Sequence, residues 1–350
     1  MQKILFTGGG SAGHVIPNVA LIEQLLSEGG CQLFYIGTDG IEKRLIAPWN
    51  IPFYTIICPK LIRGGGLAGF KNNVQIPFAF RRAVKQAERL LQEIRPDVVF
   101  SKGGYVALPV VIASKRLKIP CYAHESDFSM GLANKLSVKH CKRVFTSFPE
   151  TAKACKRGQY SGSLIRRSIL APTKADARRK WGIPFDKKTV LIFGGGSGSA
   201  RINESVRANL HTLCEKYVVI HVCGKGNVSP ITAKNYYQRE FIEDMGTAYA
   251  CADVVISRAG SGTVFELMAL KKPALFIPLE GQTRGDQLEN AQYFTKRGLC
   301  YTLRQNRLQE LVKTLDRLFA DEPLKQRLAE SCFPAGNDMV LQALRGERHG

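Results

Sequence analysis

The chain has 350 residues and a formal net charge of +21. Hydrophobic residues make up 45% of it, which is ordinary for a globular protein, and the length is typical of two domains. Its ten cysteines form no C-x-x-C pair, and no apolar run reaches about 18 residues. The sequence therefore argues against a zinc site, a redox pair and a membrane-spanning helix.

The positive charge indicates an acidic partner, which could be nucleic acid, a phosphorylated substrate or anionic lipid. The sequence contains no arginine-rich tract, RNA-binding signature or zinc-finger spacing, so it argues against nucleic acid. The cysteines are scattered through apolar stretches and no signal peptide is visible, which is typical of reduced thiols in the cytosol.

The first half of the chain alternates apolar strands with helices. Strand 4–6 runs into the glycine loop Gly8-x-Gly10-x-x-Gly13, and a helix with an apolar face follows. Further strands are predicted at 33–36, 53–57, 98–101, 121–123 and 144–146, with helices at 78–94, 107–117 and 131–138.

The second half opens in the same way. Strand 190–193 meets a loop from Gly194 to Ser199, and helical sequence follows from Ala200. Further strands are predicted at 218–222, 254–257, 274–277 and 300–303, with helices at 201–216, 263–270, 287–297 and 308–320.

Two copies of strand, glycine loop and helix predict an α/β fold of two doubly wound, Rossmann-like domains, each on a parallel sheet buried on both faces. The polar stretch 158–168 predicts the boundary, which gives domains 1–163 and 164–350, with the last helix able to pack back on the first domain. Such domains bind ligands at the carboxyl ends of their strands, so facing halves would share a cleft.

The first glycine loop fits a dinucleotide fingerprint, in which the backbone approaches a pyrophosphate at a helix N-terminus. An NAD site also needs an acidic residue closing the second strand, whereas here Asp39 comes late. His14 is predicted at the start of the first helix, where the dipole favours a neutral ring able to act as a general base. The alternative is a loop used only for packing, with His14 ordering it.

In the stretch 257–266 a strand ends, small residues follow, and a helix is predicted with Glu266 in its first turn. Glu266 could accept two ribose hydroxyls or merely suit the helix dipole. Ser197 in the second glycine loop could donate to a phosphate or cap its helix. The polar stretch 284–290 could contact sugar hydroxyls or face solvent.

Two further features bear on metal and membrane binding. The stretch His124-Glu125-Ser126-Asp127 could orient His14 or bind a hydroxyl, but neither it nor an Asp-x-Asp pair supplies a metal signature. Helix N-termini and basic side chains are therefore predicted to stabilise a leaving diphosphate. Residues 61–71 and 76–82 are apolar and basic, which suits docking on anionic lipid, or else a mobile loop beside an ordinary helix.

Six of these stretches, in this order, resemble the MurG family, the UDP-N-acetylglucosamine: undecaprenyl-pyrophosphoryl-muramoyl-pentapeptide N-acetylglucosamine transferases of peptidoglycan synthesis. The resemblance runs from Phe6 to about Leu303. It is carried by GGGSAGHVIPN at 8–18, SKGGYVALP at 101–109, HESDFSMGLANK at 124–135, GGGSGSARIN at 194–203, SRAGSGTVFE at 257–266 and RGDQLENA at 284–291.

This resemblance implies a two-domain GT-B fold and an inverting transfer of N-acetylglucosamine from UDP-GlcNAc to the 4-hydroxyl of the muramoyl sugar of lipid I, giving lipid II and UDP. It implies UDP-GlcNAc, lipid I, an anionic membrane surface and cell-wall synthesis proteins as partners, without nucleic acid, cofactor or metal. The expected location is peripheral, at the cytoplasmic face of the cell membrane.

By motif position the resemblance makes His14 the candidate base. Ile242 is expected to bind uracil through its backbone, Glu266 the ribose and Gln287 the amino sugar. The remaining expected substrate contacts are Ser11, Ala12, Gly13, Asp127, Arg166, Ser197, Ser261, Gly262 and Thr263. Three departures from the family pattern are Ala12 for glycine, Asp127 for asparagine, and residues 162–166, Gly-Ser-Leu-Ile-Arg, for Gly-Asn-Pro-Val-Arg, which predicts a less rigid hinge.

Three other interpretations stay open. A UDP-N-acetylglucosamine 2-epimerase would share the fold and the donor, but would need acidic groups at the sugar's C2 and no lipid-facing loop. An NAD-linked oxidoreductase rests on the glycine fingerprint alone. A basic scaffold for lipid or nucleic acid rests on the charge alone.

Overall fold

The computed structural model describes residues 1–59, 76–281 and 285–346. Contacts divide the chain into two units, the first comprising Met1–Arg166 with Pro334–Gly350 and the second comprising Arg167–Phe333. The sequence predicts a division after residue 163. In the structure the first unit extends to Arg166, and the chain returns to it at Pro334.

Within the described residues, the first unit contains a sheet of seven parallel strands in the order β3-β2-β1-β4-β5-β6-β7. The strands are β1 (Gln2–Thr7), β2 (Cys31–Gly37), β3 (Phe53–Thr55), β4 (Val98–Ser101), β5 (Cys121–Glu125), β6 (Arg143–Thr146) and β7 (Gly158–Tyr160). The helices between them are α1 (Ile16–Glu28), α2 (Ile41–Ile46), α3 (Ile76–Ile94), α4 (Ala107–Arg116), α5 (Leu132–Ser137) and α6 (Pro149–Ala154).

The second unit contains six parallel strands among its described residues, in the order β10-β9-β8-β11-β12-β13. They are β8 (Thr189–Phe193), β9 (Val218–Val222), β10 (Tyr236–Arg239), β11 (Val254–Ser257), β12 (Ala274–Phe276) and β13 (Tyr301–Thr302). Its helices are α7 (Arg167–Leu170), α8 (Lys174–Trp181), α9 (Ala200–Ala208), α10 (Leu210–Lys216), α11 (Met245–Cys251), α12 (Ser261–Ala269), α13 (Asp286–Thr295), α14 (Leu311–Ala320) and α15 (Glu322–Glu330).

The last helix, α16 (Asn337–Arg345), belongs to the first unit. Its apolar side chains Val340 and Leu344 join the core formed by β1 and α1. Gln24 of α1 donates to the carboxylate of Asp338 at 2.7 Å, and Gln2 donates to the carbonyl of Leu344 at 2.8 Å. The sequence analysis allows the last helix to pack back on the first domain. In the structure α16 contacts α1 and β1 of the first unit.

Alternating residues along the central strands bury both faces of the first sheet. Ile4 and Phe6 of β1 enter the core shared with α1 and α16, whereas Leu5 enters the opposite core with α3 and α4. Successive strand residues point to opposite faces, so a run without polar residues is the expected pattern for a sheet covered on both sides. The prediction of parallel sheets buried on both faces is confirmed.

Several elements differ from the predictions. The stretch predicted to be the boundary begins as strand β7, which pairs with β6 from Gly158 to Tyr160. The predicted helix 201–216 is two helices that meet at Asn209. Strand β10 and helices α8 and α11 were not predicted. The predicted lipid-facing loop 61–71 lies outside the described residues.

Strand order locates the ligand crevice of each unit. In both sheets the order reverses beside the first strand of the unit, between β1 and β4 and between β8 and β11. Chains leaving the carboxyl ends of two such strands turn to opposite faces of the sheet, which opens a crevice between them. The glycine loops at 8–13 and 194–199 therefore each border a crevice.

Candidate active site

Close backbone contacts hold the glycine loop that follows β1. A Cβ atom on Gly8 would lie 2.4 Å from the carbonyl oxygen of His14, and one on Gly104 would lie 2.3 Å from that of Gly9. A Cβ atom on Gly13 would come no closer than 3.9 Å to a packed neighbour. In a dinucleotide fingerprint the third glycine permits close helix–strand packing. Here Gly8 has that role, and Gly13 leaves open space.

A buried carboxylate fixes the same loop. Glu42 is fully buried and accepts hydrogen bonds from the backbone N–H groups of Gly10 (3.1 Å) and Thr38 (2.9 Å). The nearby Asp39 lies on the surface, where it pairs with Lys43 at 2.8 Å. The acidic residues after β2 thus serve the loop and the surface, which argues against an NAD ribose contact.

His14 precedes the first helix rather than starting it. It ends a 3₁₀ turn, Ala12–His14, and α1 begins at Ile16 with a proline in its first turn. The ring nitrogen Nδ1 lies 3.0 Å from Oγ of Ser11, so this hydroxyl is a hydrogen-bonding partner of the imidazole. Ser11, Ala12, Gly13 and His14 therefore lie together beside the crevice of the first unit.

Glu125 organises the loop after β5. Its Oε1 accepts from the N–H of Asp127 at 3.0 Å, and its Oε2 accepts from the N–H of Gly131 (2.8 Å) and from Nδ2 of Asn134 (3.0 Å). Glu125, one of the two carboxylates of the stretch that could orient His14, is thus engaged with its own loop. It positions Asp127, which is half-buried.

A buried lysine lies under this loop. Lys102 is 2% exposed, and Nζ is 3.4 Å from the carbonyl oxygen of His124. Burial lowers the pKa of Lys102, and the charges of Glu125 and Asp127 oppose that shift. Burial, and then the charge of Lys102, hold the pKa of His124 well below its usual value. The neutral ring can donate from Nε2 to the carbonyl of Gly162, 3.2 Å away.

The second glycine loop is anchored at its inner end and open at its outer end. Ser199 caps α9 by accepting from the N–H of Ile202, and a Cβ atom on Gly198 would lie 2.1 Å from the carbonyl oxygen of Cys223. Cβ atoms on Gly195 and Gly196 would meet no packed atom within 4 Å. Ser197 is exposed beside them. This part of the loop has room for a phosphate.

Arg258 ties together the loops around the second crevice. Its guanidinium donates to the carbonyls of Ile277 (3.0 Å) and Pro278 (3.1 Å), to Oγ of Ser199 (2.8 Å) and to Oε1 of Gln305 (2.9 Å). Five N–H donors in a fixed plane suit arginine to such bridging. Arg258 therefore positions the glycine loop relative to the loops after β11 and β12.

Helix α12 presents its N-terminus next to that loop. It begins at Ser261, and the N-cap Gly260 provides no side-chain hydrogen bond to the first turn. Cβ atoms on Gly260 and Gly262 would have no packed neighbour within 4 Å. The backbone N–H groups of Ser261, Gly262 and Thr263 thus form an end suited to an anion.

Glu266 lies in the second turn of α12, so the prediction that it occupies the first turn is wrong. The dipole of a helix acts within its first turn, which removes the main alternative explanation for this carboxylate. Glu266 is 9% exposed, and the hydroxyl of Tyr249 donates to its Oε2 at 3.1 Å. A buried carboxylate held in one orientation is suited to binding hydroxyl groups.

Gln287 and Ile242 lie on other loops of the second unit. Oε1 of Gln287, in the first turn of α13, accepts from the N–H of Leu279 at 2.9 Å, which holds the side chain against the loop after β12. Ile242, between β10 and α11, is nearly buried and lines a pocket of about 310 Å³ with Trp181 and Tyr237. Arg284, part of the RGDQ motif, lies outside the described residues.

Arg166 is the last residue of the first unit, and the segment before it is firmly held. The backbone N–H of Ile165 donates to Oδ1 of Asn337 at 3.0 Å, and its carbonyl accepts from Nδ2 of the same residue at 3.0 Å. The N–H of Gly336 donates to the carbonyl of Ser163 at 2.7 Å. These contacts join the segment before Arg166 to residues 336 and 337, and the less rigid hinge stays a prediction.

Three residues of these sites went unassigned in the sequence: Glu42, Lys102 and Arg258. Lys102 follows the last residue of β4, and Arg258 follows the last residue of β11. Each is thus the second residue of a short motif, Ser-Lys-Gly-Gly or Ser-Arg-Ala-Gly, that follows the strand next to the one leading into a glycine loop. This repeated motif was the available signal. The sequence contains no comparable signal for Glu42, because its partner Gly10 lies 32 residues away along the chain.

Within residues 1–59, 76–281 and 285–346, no group of three or more His, Cys, Asp or Glu side chains could hold a metal ion. No helix in those ranges is both long enough and apolar enough to cross a bilayer.

Comparison with known proteins identifies the class. The models of the glycosyltransferase family 28 N-terminal and C-terminal domains match residues 4–146 and 189–337. The crystal structure of MurG from Acinetobacter baumannii superposes with a TM-score of 0.75 and 28% identity, covering 99% of both chains. With two Rossmann-like sheets and a glycine loop at each crevice, the chain is a GT-B glycosyltransferase.

Two curated relatives carry the same name, UDP-N-acetylglucosamine–N-acetylmuramyl-(pentapeptide) pyrophosphoryl-undecaprenol N-acetylglucosamine transferase. The one from Clostridium botulinum (strain Langeland) is 42% identical over 328 residues, 91% of each chain. The one from Clostridium perfringens (strain SM101) is 44% identical over 313 residues, 87% of this chain and 86% of the relative. The chain belongs to this family of N-acetylglucosamine transferases, and the predicted resemblance is confirmed.

Proposed function

We propose that the chain transfers N-acetylglucosamine from UDP-GlcNAc to the 4-hydroxyl of the muramoyl sugar of lipid I, with inversion and without a metal ion, to give lipid II and UDP. The observation that carries this proposal is the near full-length identity of 42% and 44% to transferases of that name. Their name specifies an undecaprenol-linked N-acetylmuramyl-(pentapeptide) pyrophosphate.

The donor is assigned to the second unit. Support comes from the open end of the glycine loop at Ser197, the uncapped first turn of α12 and the buried carboxylate of Glu266. Two helix N-termini beside one crevice suit a diphosphate, and a fixed carboxylate suits the two hydroxyls of a ribose. Ser261 to Thr263 then contact the diphosphate, Ile242 the uracil and Gln287 the amino sugar.

The acceptor is assigned to the first unit, with His14 as the general base. If Nδ1–H donates to Oγ of Ser11, the lone pair of Nε2 can take the proton of the 4-hydroxyl. The hydroxyl oxygen then bonds to the anomeric carbon from the face opposite the leaving group. The bond from that carbon to the diphosphate oxygen breaks, and UDP departs with both electrons. Ser11, Ala12, Gly13, Asp127 and Arg166 are assigned as substrate contacts.

In this proposal, backbone N–H groups and basic side chains stabilise the negative charge of departing UDP in place of a metal ion. This is the arrangement that oxyanion sites use, in which preorganised dipoles face the position where charge develops. Turnover that is unchanged by EDTA is expected. Loss of turnover in EDTA, restored by a divalent cation, would overturn metal independence.

A peripheral position at the cytoplasmic membrane face, with cell-wall synthesis proteins as further partners, also belongs to the proposal. At the start of α3, Phe78 is 68% exposed and precedes the exposed Arg81 and Arg82, whereas Phe80 packs against the core. Phe78→Ser should weaken co-sedimentation with anionic vesicles. Phe241→Ser, which removes an equally exposed ring from the second unit, is the matched control. Equal effects of both changes would discard the α3 surface.

The deciding experiment measures UDP release from UDP-GlcNAc with and without a lipid I analogue, together with NMR analysis of the donor. Release that depends on the acceptor, with a β-linked disaccharide product, is expected. Isomerisation of the donor without acceptor would favour the 2-epimerase alternative. Thermal protection by NADH but not by UDP-GlcNAc would favour an oxidoreductase.

A further inference from the structure

A basic cavity lies beside the amino ends of the strands of the second sheet, whereas the proposed donor site lies at their carboxyl ends. Its volume is about 520 Å³, and its lining includes Lys188 and Pro273, which directly precede β8 and β12, and Val254, the first residue of β11. The loops assigned to the donor leave the carboxyl ends of the same parallel strands. At about 3.3 Å per residue, the two ends of the five-residue strand β8 lie about 13 Å apart. The cavity therefore lies outside the proposed donor site.

Its lining is strongly cationic. Six lysines contribute to the wall: Lys174, Lys187, Lys188, Lys271, Lys272 and Lys325. Arg178 is a seventh cation in the lining, which contains two carboxylates, those of Asp186 and Asp253. Lys325 pairs with Glu322 at 2.6 Å. The other like charges in the wall of one cavity repel one another, and a bound anion would reduce that repulsion.

The carboxylate of Asp253, in the wall of the cavity, already has three partners. Oδ1 of Asp253 pairs with Lys174 at 2.5 Å, while Oδ2 accepts from Arg178 (2.8 Å) and from the N–H of Thr189 (2.8 Å). Arg178 is 1% exposed and also donates to the carbonyls of Pro184 and Phe185. This pair, whose arginine is buried, joins α8 to the residue before β11 and lies in the wall of the cavity.

The rim lysines are not neutralised by that pair. Lys187 and Lys188 are exposed, and Lys188 stacks over the ring of Phe319 with Nζ 5.7 Å from its centre. Burial lowers the pKa of Lys272 to about 8; the charge of Asp253 opposes this shift, and the charge of Lys174 adds to it. The ammonium group of Lys272 also donates to the carbonyl of Ala252. A bound anion would favour the charged form of this lysine.

The cavity also has an apolar side. Phe185 is 62% exposed at its edge, and Pro273 and Phe319 complete that wall. The volume falls in the range of small-molecule sites, about 300–1,000 Å³. Lysine ammonium groups bind phosphate as point charges and do not require a fixed fork geometry.

We infer that this cavity is a second ligand site, which binds a phosphorylated anion through Lys187, Lys188, Lys271 and Lys272 while the ring of Phe185 covers an apolar part of the ligand. The phosphoryl groups can belong to a soluble metabolite or to a lipid headgroup. This inference goes beyond the transfer reaction and does not depend on it.

The test compares two pairs of substitutions that remove the same charge from the second unit. Lys187→Gln with Lys271→Gln alters the cavity, whereas Lys234→Gln with Lys313→Gln alters exposed lysines elsewhere. Calorimetric titration with inorganic pyrophosphate measures binding of a soluble anion. Co-sedimentation with phosphatidylglycerol vesicles, against phosphatidylcholine vesicles, measures binding of a lipid phosphate. UDP-GlcNAc titration of every variant monitors the donor site.

The cavity pair should raise the dissociation constant of the preferred probe about tenfold, since one charged hydrogen bond accounts for that factor. The control pair should change it less than about twofold, because Lys234 and Lys313 are isolated surface charges outside the cavity lining. A loss seen with pyrophosphate identifies a soluble ligand, and a loss seen only with anionic vesicles identifies a lipid. Equal losses in both pairs, binding of neither probe, or a matching loss of UDP-GlcNAc affinity in the cavity pair would each overturn the inference.

Discussion

Replacing Glu266 by alanine should weaken the binding of UDP-GlcNAc without unfolding the second unit. The carboxylate is 9% exposed and held by the hydroxyl of Tyr249 at 3.1 Å, so it is ordered before any ligand arrives. A hydrogen bond to a charged group contributes about 1.5–3 kcal/mol, and about 1.4 kcal/mol changes a dissociation constant tenfold. Loss of the hydrogen bonds from two ribose hydroxyls, partly compensated by water, should therefore weaken donor binding about 30- to 100-fold.

Isothermal titration with UDP-GlcNAc measures this effect directly. Glu266→Gln keeps one acceptor oxygen and should lose about tenfold, while Tyr249→Phe loosens the carboxylate and should lose only a few-fold. Glu215→Gln removes a surface carboxylate of the same unit and is the control. If Glu266→Ala binds the donor within about twofold of the parent, the assignment of the ribose to Glu266 is wrong.

Three further substitutions test the supports of the two crevices and one buried histidine. Arg258→Lys loses most of its bridging hydrogen bonds and should lower the melting temperature by about 5 °C and weaken donor binding. Lys102→Met leaves buried Glu125 without its ammonium neighbour and should cost about 3–5 kcal/mol in urea unfolding, which Asp127→Asn partly restores. Burial lowers the pKa of His221 to about 4, so its unfolded state binds the extra proton between pH 6.5 and 4. The parent should therefore lose up to about 3 kcal/mol of stability as the pH falls through that window, and His221→Gln should lose less.

Each of these expectations has an opposing result. Unchanged donor binding in Arg258→Lys would separate that residue from the site. An Asp127→Asn change that fails to help in the Lys102→Met background would show that the two charges are not coupled. Parallel melting curves of parent and His221→Gln between pH 7 and 4 would place the acid sensitivity elsewhere.

The fold was predictable because the pattern of each strand is local. Runs such as 190–193 are apolar and are followed by glycine, which marks a buried parallel strand entering a loop. The sequence predicts a boundary where β7 lies because the stretch 158–168 is polar and contains Gly158, Gly162 and two arginines. In the structure the three residues of β7 are half-buried. Edge strands of this kind lack the apolar signal, and their pairing depends on the neighbouring strand.

The candidate site was predictable in its loops and less so in its supports. His14, Ser197 and Glu266 lie in recognisable motifs, and the structure places each on a loop or helix at a crevice. The position of each residue within its helix depends on where that helix begins. Helix α12 begins at Ser261 and not at residue 263 as predicted, so Glu266 lies in its second turn. Glu42 binds Gly10 and Arg258 binds Ser199, both distant in sequence, and only the folded chain brings these groups together.

The return of residues 334–350 to the first unit has a consequence for engineering. Asn337 fastens Ile165 through both of its backbone groups, and α16 completes the core beside β1. A stop codon before residue 334 would thus damage the half that precedes it by more than 160 residues in sequence, leaving β8 to β13 encoded in full. Chimaeras between relatives should accordingly carry both 1–166 and 334–350 from one parent, with two junctions instead of one.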